Sequence, residues 1–180
     1  MELKTDTYYI ERIILGETDY FSVLLERYSR PVFTLIVKMT GNREDAEELT
    51  QDVFLKVFRS LKSFQGDSLF STWLYSIAYR TTVSALRKKK TEQTAIEDLA
   101  DDEQIDGEEE TTVHKELQLA ALEKALEQLA PNDRALILLF YKEEHSVEEL
   151  AVITGLTTAN VKIRLYRIRK RLFALMNVNE

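Results

Sequence analysis

The sequence predicts an all-α protein of two small helical domains joined by an acidic, flexible linker. Three observations predict it. Apolar residues recur at helical intervals through most of the chain, and strand-like alternation is scarce. Only 5 glycines and 2 prolines interrupt 180 residues. Residues 91–113 carry ten acids, no base and no apolar period. Like charges repel and nothing there needs burial, so the segment reads as an extended spacer. A second reading is that it mimics a nucleic-acid backbone and occupies a basic groove. The expected boundaries are an N-terminal extension over 1–15, a first domain over 16–90, the linker over 91–113 and a second domain over 114–180.

The first domain begins with helical turns at Phe21–Tyr28 and Val32–Met39, which flank Pro31. Proline there starts a new helix or kinks one. Asn42 is placed to cap a helix from about Arg43 to Leu61. Its apolar positions are Ala46, Leu49, Val53, Phe54, Val57, Phe58 and Leu61. Gly66-Asp67-Ser68 marks a loop, and a last helix runs from about Leu69 to Lys90. Trp73, Leu74, Ile77, Ala78 and Leu86 are its expected core, and it ends in Arg87-Lys88-Lys89-Lys90. From Arg80 to Lys90 there is no acid. Trp73 has two readings, a base-stacking aromatic or a core residue framed by Leu74 and Ile77; the framing favours the core.

The second domain opens with a helix whose apolar face is Leu117, Ala121, Leu122, Ala125, Leu126 and Leu129. Pro131-Asn132-Asp133 starts the next helix, with Leu136, Leu139 and Phe140 inward. Then comes SVEELAVITGLTTANVKIRLYRIRKRL, Ser146 to Leu172. Ser146 and Glu149 have capping-box spacing. Gly155 suits a left-handed helix stop, and Thr157 caps the following helix. Val161, Leu165, Ile168 and Leu172 form one buried stripe. The other faces carry Lys162, Arg164, Arg167, Arg169, Lys170 and Arg171, with no acid from Thr157 to Met176. A short helix, a glycine turn and a cationic helix are the geometry that lays a helix into the DNA major groove. An ordinary hairpin would mix charge signs on its exposed faces.

Composition excludes several classes. With no cysteine there is no disulfide, thiolate nucleophile or zinc–thiolate site, which fits a reducing cytoplasm. No apolar run approaches the ~18 residues a membrane helix needs, and residues 1–16 lack signal-peptide character. The net charge of −7 belongs to the linker segment, because the remainder is slightly basic. Two basic helices on one tether gain effective concentration from each other on a single DNA molecule.

Glu44, Asp45, Glu47, Glu48 and Asp52 crowd one helix start. Acids there complement the helix dipole. A carboxylate metal site would want Glu-x-x-His partners, and the chain's histidines, His114 and His145, lie outside this domain. The third reading is a face for a basic partner helix, with Leu49 and Val53 beside Glu48 and Asp52.

Two long runs resemble a known family. DAEELTQDVFLKVFRSLKSFQGDSLFSTWLYSIAYR, Asp45 to Arg80, is similar to the second conserved region of the extracytoplasmic-function (ECF) RNA polymerase sigma factors. LEQLAPNDRALILLFYKEEHSVEELAVITGLTTANVKIRLYRIRKRL, Leu126 to Leu172, is similar to their fourth region. The order and separation also match. The resemblance implies a sigma factor that binds core RNA polymerase, directs it to promoters and assists duplex opening. It implies a non-enzymatic protein with no cofactor, metal or small-molecule substrate. Asp45, Glu48, Leu49, Asp52 and Val53 would dock on the clamp coiled coil of the largest polymerase subunit. Phe64 and Asp67 in the loop, with Arg80, Arg87 and Lys88, would meet the -10 element of promoter DNA. Thr158, Asn160, Lys162, Ile163, Tyr166, Arg167 and Arg169 would read the -35 element. Many relatives are held by a membrane-bound anti-sigma factor, so the resemblance allows that partner and a membrane-held pool beside a cytoplasmic one.

Two residues depart from the family pattern. Arg80 stands where many members have Asn, which shifts that position toward phosphate contact. Ile163 occupies a recognition position that is often small and polar, and it suits packing on a thymine methyl. The rival reading is a helix-turn-helix regulator that binds an operator without polymerase. A second basic helix and a melting-type loop in the first domain speak against it. The absence of a phosphate-binding glycine loop and of clustered histidine speaks against an enzyme.

Overall fold

The computed structural model describes residues 4–94 and 113–177. The expected linker lies largely outside the described residues. Among those described there are eight α-helices and two 3-10 turns, with no strand. The first half holds α1 (Asp6–Ile14), α2 (Phe21–Thr40), α3 (Arg43–Ser60) and α4 (Phe70–Thr94). The second holds α5 (Val113–Glu127), α6 (Pro131–Tyr141), α7 (Val147–Thr154) and α8 (Thr158–Asn177).

The structure adds detail to three expectations. Residues 6–14 of the supposed extension form α1, which packs on α2 through buried Ile10 and Ile13. Asp6 fixes that helix by accepting from Arg27 at 2.7 Å and from the Tyr28 hydroxyl at 2.5 Å. Pro31 does not start a helix but lies inside α2, which leaves the other alternative, a kink. Burial of Leu24, Val32, Leu35, Ile36 and Met39 along one side of α2 outweighs the one backbone hydrogen bond that proline removes. And α4 runs on to Thr94, into what reads as linker.

The caps follow the sequence. Asn42 Oδ1 accepts the Asp45 N–H at 2.9 Å, and Asn42 is extended at φ −130°. Ser146 and Glu149 form the expected reciprocal box. Gly155 ends α7 at φ 74°, a left-handed conformation that a side chain would strain. Thr157 Oγ1 accepts the Asn160 N–H at 3.2 Å and starts α8.

The halves are packed against each other, α4 on α7 and α2 on α6, over one continuous set of buried residues. The face of α4 at this seam is polar: Thr72, Tyr75, Ser76 and Tyr79 are all buried. The Thr72 hydroxyl donates to Glu149 Oε1 at 3.1 Å. The Tyr75 hydroxyl donates to Glu143 Oε2 at 2.8 Å. On the α2–α6 side, Arg134 reaches across and donates to the Lys38 carbonyl at 2.6 Å. The same guanidinium also donates to the carbonyls of Leu126, Glu127 and Leu129, so it closes the end of α5. Four carbonyls at two helix ends share one fork of donors. Arg134→Met is therefore expected to lower the urea midpoint by the equivalent of ~2–3 kcal/mol, a typical value for losing charged hydrogen bonds. Urea titration followed by far-UV circular dichroism checks it.

Candidate nucleic-acid interface

The second half presents α8. Its buried stripe is Val161, Leu165, Ile168 and Leu172, as the period predicts. That stripe turns Thr158, Asn160, Lys162, Ile163, Tyr166, Arg167 and Arg169 to the surface, all exposed. Ile163 and Tyr166 are 50% and 64% exposed, unusual for residues of that size without a partner. Arg169 is not loose: its Nε donates to the Tyr141 hydroxyl at 2.7 Å, and its guanidinium lies over the Phe140 and Tyr141 rings. Tyr141 is 59% exposed, and the sequence reading missed it. Arg164 is directed away, paired with Asp133 at 2.6 Å across to α6.

In the first half, Arg80, Arg87 and Lys88 are exposed along α4. An open cleft of about 580 Å³ runs between α3 and the end of α4. Leu49, Asp52, Lys56, Thr81, Arg87 and Lys88 are among its lining residues. Lys56 Nζ donates to Thr81 Oγ1 at 3.2 Å. Sequence reasoning missed Lys56; its one signal is that it falls one helical turn after Asp52. Of the loop residues, Asp67 is exposed, and Gly66 sets the turn at φ 76°. Phe64 is half-buried and sits on Trp73 and Phe70, with ring centroids 5.3 and 5.8 Å apart. Trp73 is likewise half-buried and packs on the core, which agrees with the core reading.

The acidic face of α3 needs one correction. Val53 is fully buried and packs inward, so no partner reaches it. Its position four residues after Leu49 puts it on the core side, and Leu49 is only half-buried at the margin. Glu48 and Asp52 are exposed. Asp45 is half-buried and already holds a cation, Lys89 at 2.8 Å. On its other side α3 shares an apolar groove of about 590 Å³ with α2, lined in part by Phe21, Leu25, Phe54, Leu55 and Phe58. Among the described residues no cluster of His, Asp and Glu suits a metal ion, and no helix is long and apolar enough to cross a membrane.

With this geometry in place, comparison with known proteins is direct. The sigma-70 region 2 family model matches residues 24–92, and the sigma-70 region 4 model matches residues 119–172. The ECF RNA polymerase sigma factor SigW of Bacillus subtilis is 31% identical over 173 residues, 91% of this chain and 92% of that protein. The ECF sigma-E factor of Escherichia coli K12 is 30% identical, covering 94% and 93%. This chain belongs to the ECF sigma factors. It is a transcription initiation factor that directs RNA polymerase to promoters. The fold is shared with solved structures. Bartonella quintana RpoE, in complex with the anti-sigma factor NepR, matches with TM-score 0.71 and 24% identity over 89% of this chain and 98% of that one. CnrH, in complex with the cytosolic domain of CnrY, matches with TM-score 0.71 and 21% identity over 98% and 100%.

The seam between the two halves of this sigma factor holds a titratable group. His145 is buried between α7 and α4, its ring edge-on to Tyr75 with centroids 5.0 Å apart. Its Nδ1 is 3.6 Å from Glu149 Oε2, and its Nε2 has no hydrogen-bond partner. Burial holds its pKa below the ordinary 6.5, against the opposing pull of Glu149 and Glu143. Burial pushes Glu149 up, but the Ser146 and Thr72 hydrogen bonds and His145 outweigh it, and its pKa falls below 4.5. Burial and the Glu143 hydrogen bond both raise Tyr75, which stays a donor. For His145 the unfolded chain binds more protons than the fold wherever the pH lies between the depressed native value and about 6.5. Stability is therefore expected to fall as pH drops below about 6.5, before Glu149 protonates. His145→Gln should flatten that limb of a urea-midpoint profile measured from pH 7.5 to 5.

Proposed function

We propose that the two halves contact the two promoter elements and that α3 supplies the polymerase contact. The carrying observation is the pair of separate exposed basic surfaces, α8 in one half and α4 with its loop in the other. In this reading α8 enters the major groove at the -35 element. Thr158, Asn160, Lys162 and Ile163 lie toward its N-terminal end and reach base edges. Arg167, Arg169 and Lys170 lie further along and meet phosphates. Tyr141 steers Arg169 by holding its Nε. Phe64, Asp67, Arg80, Arg87 and Lys88 face the -10 element, joined by Lys56 from across the cleft. Core polymerase docks by its clamp coiled coil on Asp45, Glu48, Leu49 and Asp52, without Val53. The relatives solved with NepR and CnrY support an anti-sigma partner as well. The protein is non-enzymatic, works without cofactor or small-molecule substrate, and resides in the cytoplasm or in an anti-sigma complex held at the membrane. The boundaries near residues 90 and 114 are those of region 2 and region 4. Run-off transcription with purified core polymerase tests the reading against that of an operator-binding regulator, which gives no transcript start of its own.

Reversing Glu48 and Asp52 together to Lys is expected to weaken core binding by on the order of 10-fold while far-UV circular dichroism stays unchanged. Fluorescence titration of core polymerase checks it, and unchanged affinity removes α3 from the interface.

Lys162→Ala is expected to change the ranking among single-base -35 variants, by ~1–3 kcal/mol at its contacted position. Lys170→Ala is expected to weaken all variants alike and to lower the salt slope by about one unit. Holoenzyme binding to a variant panel at two salt concentrations separates them. Uniform weakening by Lys162→Ala reassigns base reading to Ile163 and Tyr166.

A further inference from the structure

Arg164 and Arg169 both reach from α8 to a partner on α6, and the two partners differ in kind. Arg164 Nε meets the Asp133 carboxylate at 2.6 Å, which neutralises it. Arg169 Nε donates instead to the Tyr141 hydroxyl at 2.7 Å, and among the described residues no carboxylate pairs with it. A strut that only tied α6 to α8 would gain more from a carboxylate. Against Tyr141 the guanidinium keeps its full charge, and both residues are exposed. The geometry points to a composite phosphate grip, in which the Tyr141 hydroxyl and the Arg169 guanidinium together bind one backbone phosphate of the -35 element. The grip rests on the assignment of α8 to that element, and it adds a direct contact from α6, outside the helix-turn-helix.

The free donors converge. The Tyr141 oxygen accepts from Arg169 Nε, so its own proton remains to be given, and among the described residues nothing receives it. One of the five N–H groups of Arg169 is engaged, and both Nη groups remain. A hydroxyl proton beside a guanidinium edge calls for a ligand with adjacent acceptor oxygens and a negative charge. Height along α8 selects a phosphate over the edge of a base. Lys162, Tyr166 and Arg169 share one stripe, at i, i+4 and i+7. At 1.5 Å per residue, Arg169 lies about 10 Å beyond Lys162, and the major groove is about 8.5 Å deep. With the N-terminal end of α8 at the base edges, Arg169 stands level with the phosphates. The rings hold it there. Its guanidinium carbon lies 5.5 Å from the Phe140 ring centroid and 5.6 Å from that of Tyr141, and the two rings pack edge to face at 4.9 Å. The planar group is thus oriented in the free protein, which lowers the entropy lost on binding.

Duplexes with a single methylphosphonate, which removes one phosphate's charge, at successive positions across the -35 element locate the contact. Holoenzyme binding to each is measured with the full-length protein and with its Tyr141→Phe and Arg169→Gln variants. The unaltered protein is expected to lose on the order of 10-fold at the gripped phosphate. Arg169→Gln is expected to lose about as much on natural DNA, to lower the salt slope by about one unit and to lose nothing further at that phosphate. Tyr141→Phe is expected to bind natural DNA on the order of 5-fold more weakly, with the salt slope unchanged. Its response to methylphosphonate shrinks at that same phosphate and nowhere else. Urea titration follows the fold of each variant. Tyr141→Phe that binds natural DNA as well as the unaltered protein overturns the grip. So does a Tyr141→Phe loss that is the same at every methylphosphonate position, the signature of a strut between α6 and α8. No response of the unaltered protein to any methylphosphonate in the element overturns instead the assignment of α8, a failure visible without either variant.

Discussion

The buried polar seam between α4 and α7 is the constraint on which the arrangement depends. Each half is close to the lower size at which a chain stabilises its own core. Packed together, they enclose one contiguous core that runs from α1 to α8. Apolar contact alone would join them without specifying how. The Thr72–Glu149 and Tyr75–Glu143 hydrogen bonds supply direction, because a register shift would leave buried hydroxyls unpaired at about 1–3 kcal/mol each. The one described imperfection is His145 Nε2, which keeps the seam short of full satisfaction.

The same seam orders α7 and, through it, α8. Glu149 accepts from Thr72 and from its own N-cap, which fixes the start of α7. Gly155 then turns the chain, and Val161, Leu165 and Ile168 seat α8 on α5, α6 and α7. Arg164 is drawn to Asp133, Arg169 to Tyr141 and Arg171 to the Gln128 carbonyl, so three of the six cations in α8 are already held. Ordering them in advance lowers the entropy lost on binding.

Local signals in the sequence were enough to read the helices and most caps. Asn42, Ser146 with Glu149, Gly155 and Thr157 act within one or two turns, so their spacing carries their role. The same holds for the stripe Val161, Leu165, Ile168 and Leu172, and hence for which residues of α8 are exposed. Long-range partners were illegible. Nothing local distinguishes buried Thr72 and Tyr75 from surface polar residues, since their partners lie 77 and 68 positions away. Val53 was misplaced for a related reason: an apolar residue at helical spacing fits a partner surface and a core equally until the neighbouring helices are set. Pro31 shows tertiary burial overriding a local breaker. α1 falls within the expected extension, and what holds it is the burial of Ile10 and Ile13.

Burial divides the molecule's polar interactions into two kinds. At the surface, the Asp45–Lys89 pair has side chains 38% and 51% exposed, so solvent screens it and its contribution is within about 1 kcal/mol. Such a pair can part at low cost. The seam is different, because the Thr72 and Tyr75 side chains are buried and meet half-buried carboxylates. On the proposed assignment, substitutions on α3 and α8 act on binding, with strong dependence on salt. Substitutions at Thr72, Tyr75 or Arg134 act on how the halves are held, with little dependence on salt, so ionic strength separates the two kinds even where a transcription assay reads the same loss.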